Sequence, residues 1–289
     1  MTAATPAAGS AANPAAGPAA GTAAAPAAGS DRIVARPAGF WRDIGSIAIR
    51  SIRQLPRDVE FLAPALVIPL FFLVVNVGSL QNVADFTSIE IDYKAFQLPV
   101  AIVFAVTGVS RAFALVLNIQ EGYFDRLMLT PVSRRALLLG HMAADFVLVM
   151  VLTVPVVVLG FVIGVRFPTG PLGVAVFILI AAFWGVAYTG IPYAIALKTG
   201  NPGAVNSSFL VFFPFAFLTT AYMPREYMTG WLGEIAVYNP VTYLLGGLRS
   251  LFVEWQPAEI GKALLAIAAL AVFTQFLSFR ALASRVKQK

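Results

Sequence analysis

Six stretches of this chain, 60–80, 95–118, 136–165, 171–197, 204–222 and 258–280, each carry close to or more than the roughly 20 apolar residues needed to cross a bilayer as a helix. In lipid the backbone must satisfy its own hydrogen bonds, so such stretches fold as helices. Pro69, Pro155, Pro192 and Pro214 lie inside them, and neighbouring helices can repair the bonds they remove. A kink is expected at Pro155, deep in the long third stretch. The chain is 59% hydrophobic and 12% charged, against about 45–50% and about 25% for soluble domains. The expected fold class is therefore an all-α integral membrane protein with six transmembrane helices.

Three other segments complete the layout. Residues 1–38 are mostly Ala, Gly, Pro, Ser and Thr, predicting a disordered tail. A cleaved signal needs a basic start and an unbroken apolar run, whereas the first charge is Asp31 and Pro6, Pro14, Pro18 and Pro26 interrupt the stretch. Residues 39–57 predict an amphipathic helix lying in the membrane surface. Phe40, Trp41, Ile44, Ile47, Ala48 and Ile52 form its apolar stripe, and Arg42, Asp43, Arg50 and Arg53 its polar side. A cytoplasmic helix packed on a partner is the alternative. Residues 58–285 form the transmembrane domain.

Lys and Arg orient the chain. With the N-terminus inside, fourteen fall on inner segments and five on outer ones, and Arg111 lies within the second span. The basic balance is thus a topology signal, and no nucleic-acid partner is expected. Both termini are expected on the cytoplasmic side of the plasma membrane.

On the outside, Met228–Val237 and Val241–Val253 are apolar runs too short to cross and long enough to dip in and return. Asn239 can cap the second run and Pro240 suits its first position. This predicts a re-entrant helical hairpin before the last span, with Trp231, Asn239, Pro240, Tyr243 and Arg249 as its marked residues. On the inside, Tyr123, Phe124, Leu127 and Met128 place apolar side chains at helical spacing between Glu121, Asp125 and Arg126. Thr130-Pro131 ends that helix and Ser133 can cap the next. It suits insertion into a groove on a cytoplasmic partner, or it is a tight turn joining two spans.

The stretch Glu121-Gly122-Tyr123-Phe124-Asp125-Arg126-Leu127-x-x-Thr130-Pro131-Val132-Ser133-Arg134 resembles the coupling-helix region of type-2 ATP-binding-cassette (ABC) exporter permeases. Ala221-Tyr222-Met223-Pro224, Gly230-Trp231-Leu232, Tyr238-Asn239-Pro240-Val241-Thr242-Tyr243 and Leu248-Arg249 resemble that family's segment before the last span. The daunorubicin-resistance-like drug exporters are the most similar in pattern. Thr229 stands where the commoner pattern has a proline before Gly-Trp.

The resemblance implies a permease subunit that pairs with a second one, as a homo- or heterodimer, and with cytoplasmic ATPase subunits. ATP and Mg would be bound by the ATPase and not by this chain, which carries no G-x-x-x-x-G-K-[ST] loop. Glu121, Gly122, Tyr123, Phe124, Asp125, Arg126, Leu127 and Met128 would couple the two proteins, and no residue of this chain is expected to be catalytic. The cargo would be an amphipathic drug-, lipid- or polyketide-like molecule, with polysaccharide export as the alternative.

His141 and Asp145, four apart on one face of the third span, are the intramembrane polar candidates. Asp145 sits about 15 Å deep. The pair could serve a proton-coupled carrier or a membrane-embedded enzyme, satisfy itself, or hold spans together. With no cysteine and a single histidine, no metal site is expected. Gly160-x-x-x-Gly164 could allow close helix contact. Gly185, Tyr188 and Tyr193 could line a pathway or simply pack.

Overall fold

The computed structural model describes residues 39–55, 59–86, 92–128 and 133–287, and these contain helices and connections with no strand among them. The expected tail 1–38, residues 56–58 and Thr130-Pro131 lie outside the described residues. The helices are α1 (Phe40–Gln54), α2 (Val59–Phe86), α3 (Tyr93–Thr107), α4 (Ala112–Gln120), α5 (Tyr123–Met128), α6 (Arg134–Val162) and α7 (Gly170–Thr199). They continue as α8 (Pro202–Asn206), α9 (Ser208–Phe217), α10 (Trp231–Tyr238), α11 (Pro240–Ser250) and α12 (Pro257–Lys287).

Among the described residues five helical stretches are long and apolar enough to cross a membrane: Leu62–Ser79, Tyr93–Gln120, Arg134–Val162, Gly170–Thr199 and Pro257–Arg285. The expected sixth, 204–222, takes a different form. Its apolar helix is Pro202–Phe217, about 24 Å long, shorter than the roughly 30 Å hydrocarbon core. Leu218 leaves helical geometry and irregular backbone follows to Pro224. The second stretch is broken at Gly108–Arg111 between α3 and α4, with no proline at the break. Pro155 lies within a helix that runs on to Val162.

The bundle is built on α7. It packs along α12, and Gly190 makes this possible: a Cβ there would collide with the Thr274 backbone. Trp184, fully buried, fixes α7 to α3 by donating from Nε1 to Thr107 Oγ1 at 2.9 Å. Gly185 lies against Val149, and Tyr188 and Tyr193 are buried, so all three pack between helices. Gly160 packs on Leu98, while Gly164 stands past the end of α6 with φ +100°, so the two do not form one helix face.

The surface helix turns Ile47, Ala48 and Ile52 of its expected apolar stripe toward the bundle. α1 lies on α6, where Gly140 admits Ile47 (2.7 Å from a built Cβ). Asp43, Ala48, Ser51 and Leu55 are buried, while Phe40, Trp41 and Ile49 are exposed. The close approach at Gly140 seats Ile47 against α6, and the Phe40–Trp41 end of the stripe stays outside. α2 is the most weakly packed span, with Val67, Ile68, Phe71 and Phe72 exposed, as suits a lipid-facing or partner-facing helix.

Candidate functional site: the helix pair, the groove and the buried polar cluster

The end of the bundle that carries α5 is assembled from the ends of α4, α7 and α12. Gln120 Nε2 donates to Gly200 O at 3.0 Å, joining α4 to the end of α7, and Arg285 donates to Leu197 O at 2.8 Å. Gly122, at φ +70°, turns the chain between α4 and α5, a conformation L side chains rarely adopt. Phe124 is buried among Leu115, Leu137, Leu197 and Leu282, and this plug seats α5 on the bundle. Tyr123 lies half-buried beneath Arg50 of α1, whose guanidinium carbon is 4.3 Å from the ring centre. Glu121 and Arg126 are exposed. The side chains of Asp125, Leu127 and Met128 lie outside the described residues. Ser133 caps α6 by accepting from Ala136 N at 3.1 Å, as expected.

At the other end, α10 and α11 form the expected helix pair about Asn239-Pro240. Asn239 accepts from Val241 N at 3.0 Å, starting α11, and donates to Phe215 O and Leu218 O at 2.7 and 2.8 Å. One side chain thus starts a helix and closes the end of α9. Tyr243 donates to Val237 O at 2.7 Å across the pair. Arg249 donates to Phe96 O (3.2 Å), Thr220 Oγ1 (3.2 Å) and Ala221 O (3.4 Å), and lies 3.5 Å over the Phe96 ring. Trp231 departs from this set, being 66% exposed. Two residues the sequence did not mark join the cluster: Gln97 donates to Ala221 O at 3.2 Å, and Tyr93 donates to Tyr222 O.

Between these ends, a cavity of about 320 Å³ lies along α2, α3 and α9. Phe72, Phe104, Phe209, Phe213 and Phe217 give it aromatic walls, with Phe104 making edge contacts to Phe213 and Phe217. Asn76 and Gln97 are its amide side chains. The volume falls within the range of small-molecule sites. No sequence signal marked this groove, because phenylalanines on three separate helices, α2, α3 and α9, read as ordinary apolar residues of membrane spans.

His141 and Asp145 are both buried, and they do not bond each other. His141 Nδ1 bonds Ser51 Oγ of α1 at 3.2 Å. Asp145 accepts the Arg111 backbone N–H at 2.8 Å and the Tyr193 hydroxyl at 2.7 Å. Arg111 in turn donates to Gln54 Oε1 of α1 at 3.0 Å. Each side chain therefore joins α6 to another element. Among the described residues no group of three or more His, Cys, Asp or Glu side chains stands together as metal ligands would.

A bundle of apolar spanning helices that presents a short helix at one end and a capped helix pair at the other defines a polytopic α-helical membrane protein. Residues 42–253 match the family model described as ABC-2 type transporter. The chain belongs to that family and is the membrane permease subunit of an ABC exporter. It is 26% identical over 201 residues to "Probable doxorubicin resistance ABC transporter permease protein DrrC" of Mycobacterium tuberculosis, covering 69% of this chain and 73% of the relative. It is 29% identical over 194 residues to "Daunorubicin resistance ABC transporter permease protein DrrB1" of Streptomyces coeruleorubidus, covering 66% and 68%. The family implies ATPase partner subunits and a membrane setting.

Proposed function

We propose that the chain forms half of a dimeric export pathway in the plasma membrane, with both termini cytoplasmic and a separate ATPase docked on Glu121–Met128. ATP and Mg act on that partner, whose closure pushes on α5. The observation that carries this reading is the seating of α5: Phe124 roots it in the bundle while Glu121 and Arg126 stay exposed for a partner. A helix held at its apolar side and free at its charged side can receive force and pass it on.

The pathway has six crossings in this reading. α8, α9 and the irregular segment after Leu218 make the fifth, and α10–α11 form a re-entrant pair at the outer face. In support, α10 and α11 are about 12 and 16 Å long, too short to cross, and Asn239 ties them to the end of α9. The cargo is an amphipathic drug-, lipid- or polyketide-like molecule, and the groove along α2, α3 and α9 is its path. Aromatic walls with amides at Asn76 and Gln97 suit a largely apolar body with a few polar groups.

Inverted vesicles containing the permease and its partner ATPase provide the test, with doxorubicin as the probe. ATP-dependent uptake, abolished by Glu121→Arg, is the expected result. Uptake that survives ATP depletion and collapses with the proton gradient would replace this reading with a proton-coupled carrier.

A further inference from the structure

The break between α3 and α4 has no proline, yet the helix stops there, and its position matters because α4 leads directly into α5. An α-helix start leaves N–H groups without intrahelical partners, and inside a membrane these must be met by protein. Ser110 Oγ accepts from Ala112 N at 3.0 Å. The Arg111 N–H goes to Asp145 of α6. In an unbroken helix that same N–H would bond the carbonyl of Thr107, four residues back. The Arg111 N–H therefore has two alternative acceptors, one that keeps the break and one that removes it.

Asp145 is fully buried, as is Tyr193 of α7, which donates to its other oxygen. Arg111, 4% exposed, reaches α1 through Gln54, and one turn before Asp145 the His141–Ser51 bond ties α6 to the same helix. Four helices, α1, α4, α6 and α7, thus share one buried polar junction at the start of the segment that carries α5. For simple adhesion apolar side chains would serve as well, since buried charge is costly in lipid. A junction with two alternative hydrogen-bond states is what apolar packing cannot provide.

We propose that Asp145 and Tyr193 are positioning residues of the transport cycle. The break at Gly108–Arg111 is a hinge, and the Arg111–Asp145–Tyr193 junction is the pivot that converts displacement of α4–α5 into rearrangement of α6, α7 and α1. This rests on the reading that α5 receives the ATPase stroke.

The chain contains no cysteine, so paired spin labels on exposed sites report distances cleanly in nanodiscs with the ATPase bound and ATP-trapped. Leu117→Cys on α4 with Phe276→Cys on α12 follows the input, and Val158→Cys on α6 with Phe71→Cys on α2 follows the output; all four residues are exposed. In the otherwise unaltered protein both distances should shift on trapping by at least about 2 Å, the scale of helix shifts in switching proteins. In Asp145→Asn, and in the ring-preserving Tyr193→Phe, the input shift should persist and the output shift should fall at least twofold. An output shift equal to that of the unsubstituted protein in both variants, or a proportional loss of input and output together, overturns the pivot. If the input pair does not move even without either substitution, the α5 reading itself fails.

Discussion

Two irregular segments of this bundle, Gly108–Arg111 and Leu218–Tyr222, are chemical opposites. At Gly108–Arg111 a helix begins, so the groups in need are N–H donors, and an acidic side chain, Asp145, meets one. At Leu218–Tyr222 a helix has ended, so the groups in need are carbonyls. Donors meet them: Asn239 at Leu218, Gln97 and Arg249 at Ala221, and Tyr93 at Tyr222. The groups that satisfy the backbone follow the polarity of the helix end, a carboxylate acceptor for the N–H at a start and amide, phenol and guanidinium donors for the carbonyls at a finish. The arrangement of ties differs as well. Several donors converge on the carbonyls of the outer segment, whereas at the inner break the ties run through Arg111, whose N–H goes to Asp145 and whose side chain reaches Gln54 of α1. The outer segment is built as a brace, and the inner one as a joint.

The contrast is broken most severely at the joint. Asp145→Ala strips the acceptor from both the Arg111 N–H and the Tyr193 hydroxyl in a site closed to water. Removing one side of a buried charged cluster costs about 3–5 kcal/mol. Thermal unfolding in detergent, followed by tryptophan fluorescence, should show the largest loss of any single polar truncation in the bundle. A loss near that of a surface substitution would mean that the junction contributes no more than ordinary packing.

The brace should lose less per residue because it is redundant. Arg249→Met removes three donors and the guanidinium over Phe96, leaving Gln97 on Ala221 and Asn239 on Leu218. Hydrogen bonds to a charged group contribute about 1.5–3 kcal/mol, so a destabilisation of about 2 kcal/mol is expected. Hydrogen exchange should quicken locally in 218–224 while the α3–α4 break stays protected. Equal quickening at both places would erase the distinction between brace and joint.

The two places were unequally legible. The spans showed themselves because an apolar run of about 20 residues has few other folds available. The Asn239-Pro240 cap and the Ser133 cap were equally visible, since capping acts between residues two or three apart. The joint was invisible. Its partners lie 34, 48 and 57 positions apart, and nothing local pairs Gln54 with Arg111 or Tyr193 with Asp145. The break itself was hidden because Gly108-Val109-Ser110 is apolar enough to pass within a spanning window. Asp145 stood out as a charge in lipid, but the partner its spacing suggested, His141, bonds Ser51 instead, and Asp145 bonds Arg111 and Tyr193. The α1 stripe was legible in part: Ile47, Ala48 and Ile52 turn toward the bundle, while Asp43, assigned to the polar side, is buried with them.

The smallest effect distinguishes marked residues that hold the brace from one that does not. Trp231 and Asn239 were marked together as hairpin residues, yet Trp231 is 66% exposed and Asn239 5%. Trp231 removes little surface from solvent or lipid within the monomer, so Trp231→Ala should shift stability by less than about 0.5 kcal/mol. Asn239→Ala loses a helix cap and two carbonyl ties, and loss of the cap alone costs about 1 kcal/mol. Measured side by side in the purified permease, the two unfolding temperatures should separate clearly. If Trp231→Ala is the more damaging, its indole is buried against a second subunit, and the outer helix pair belongs to an interface as well as to the brace.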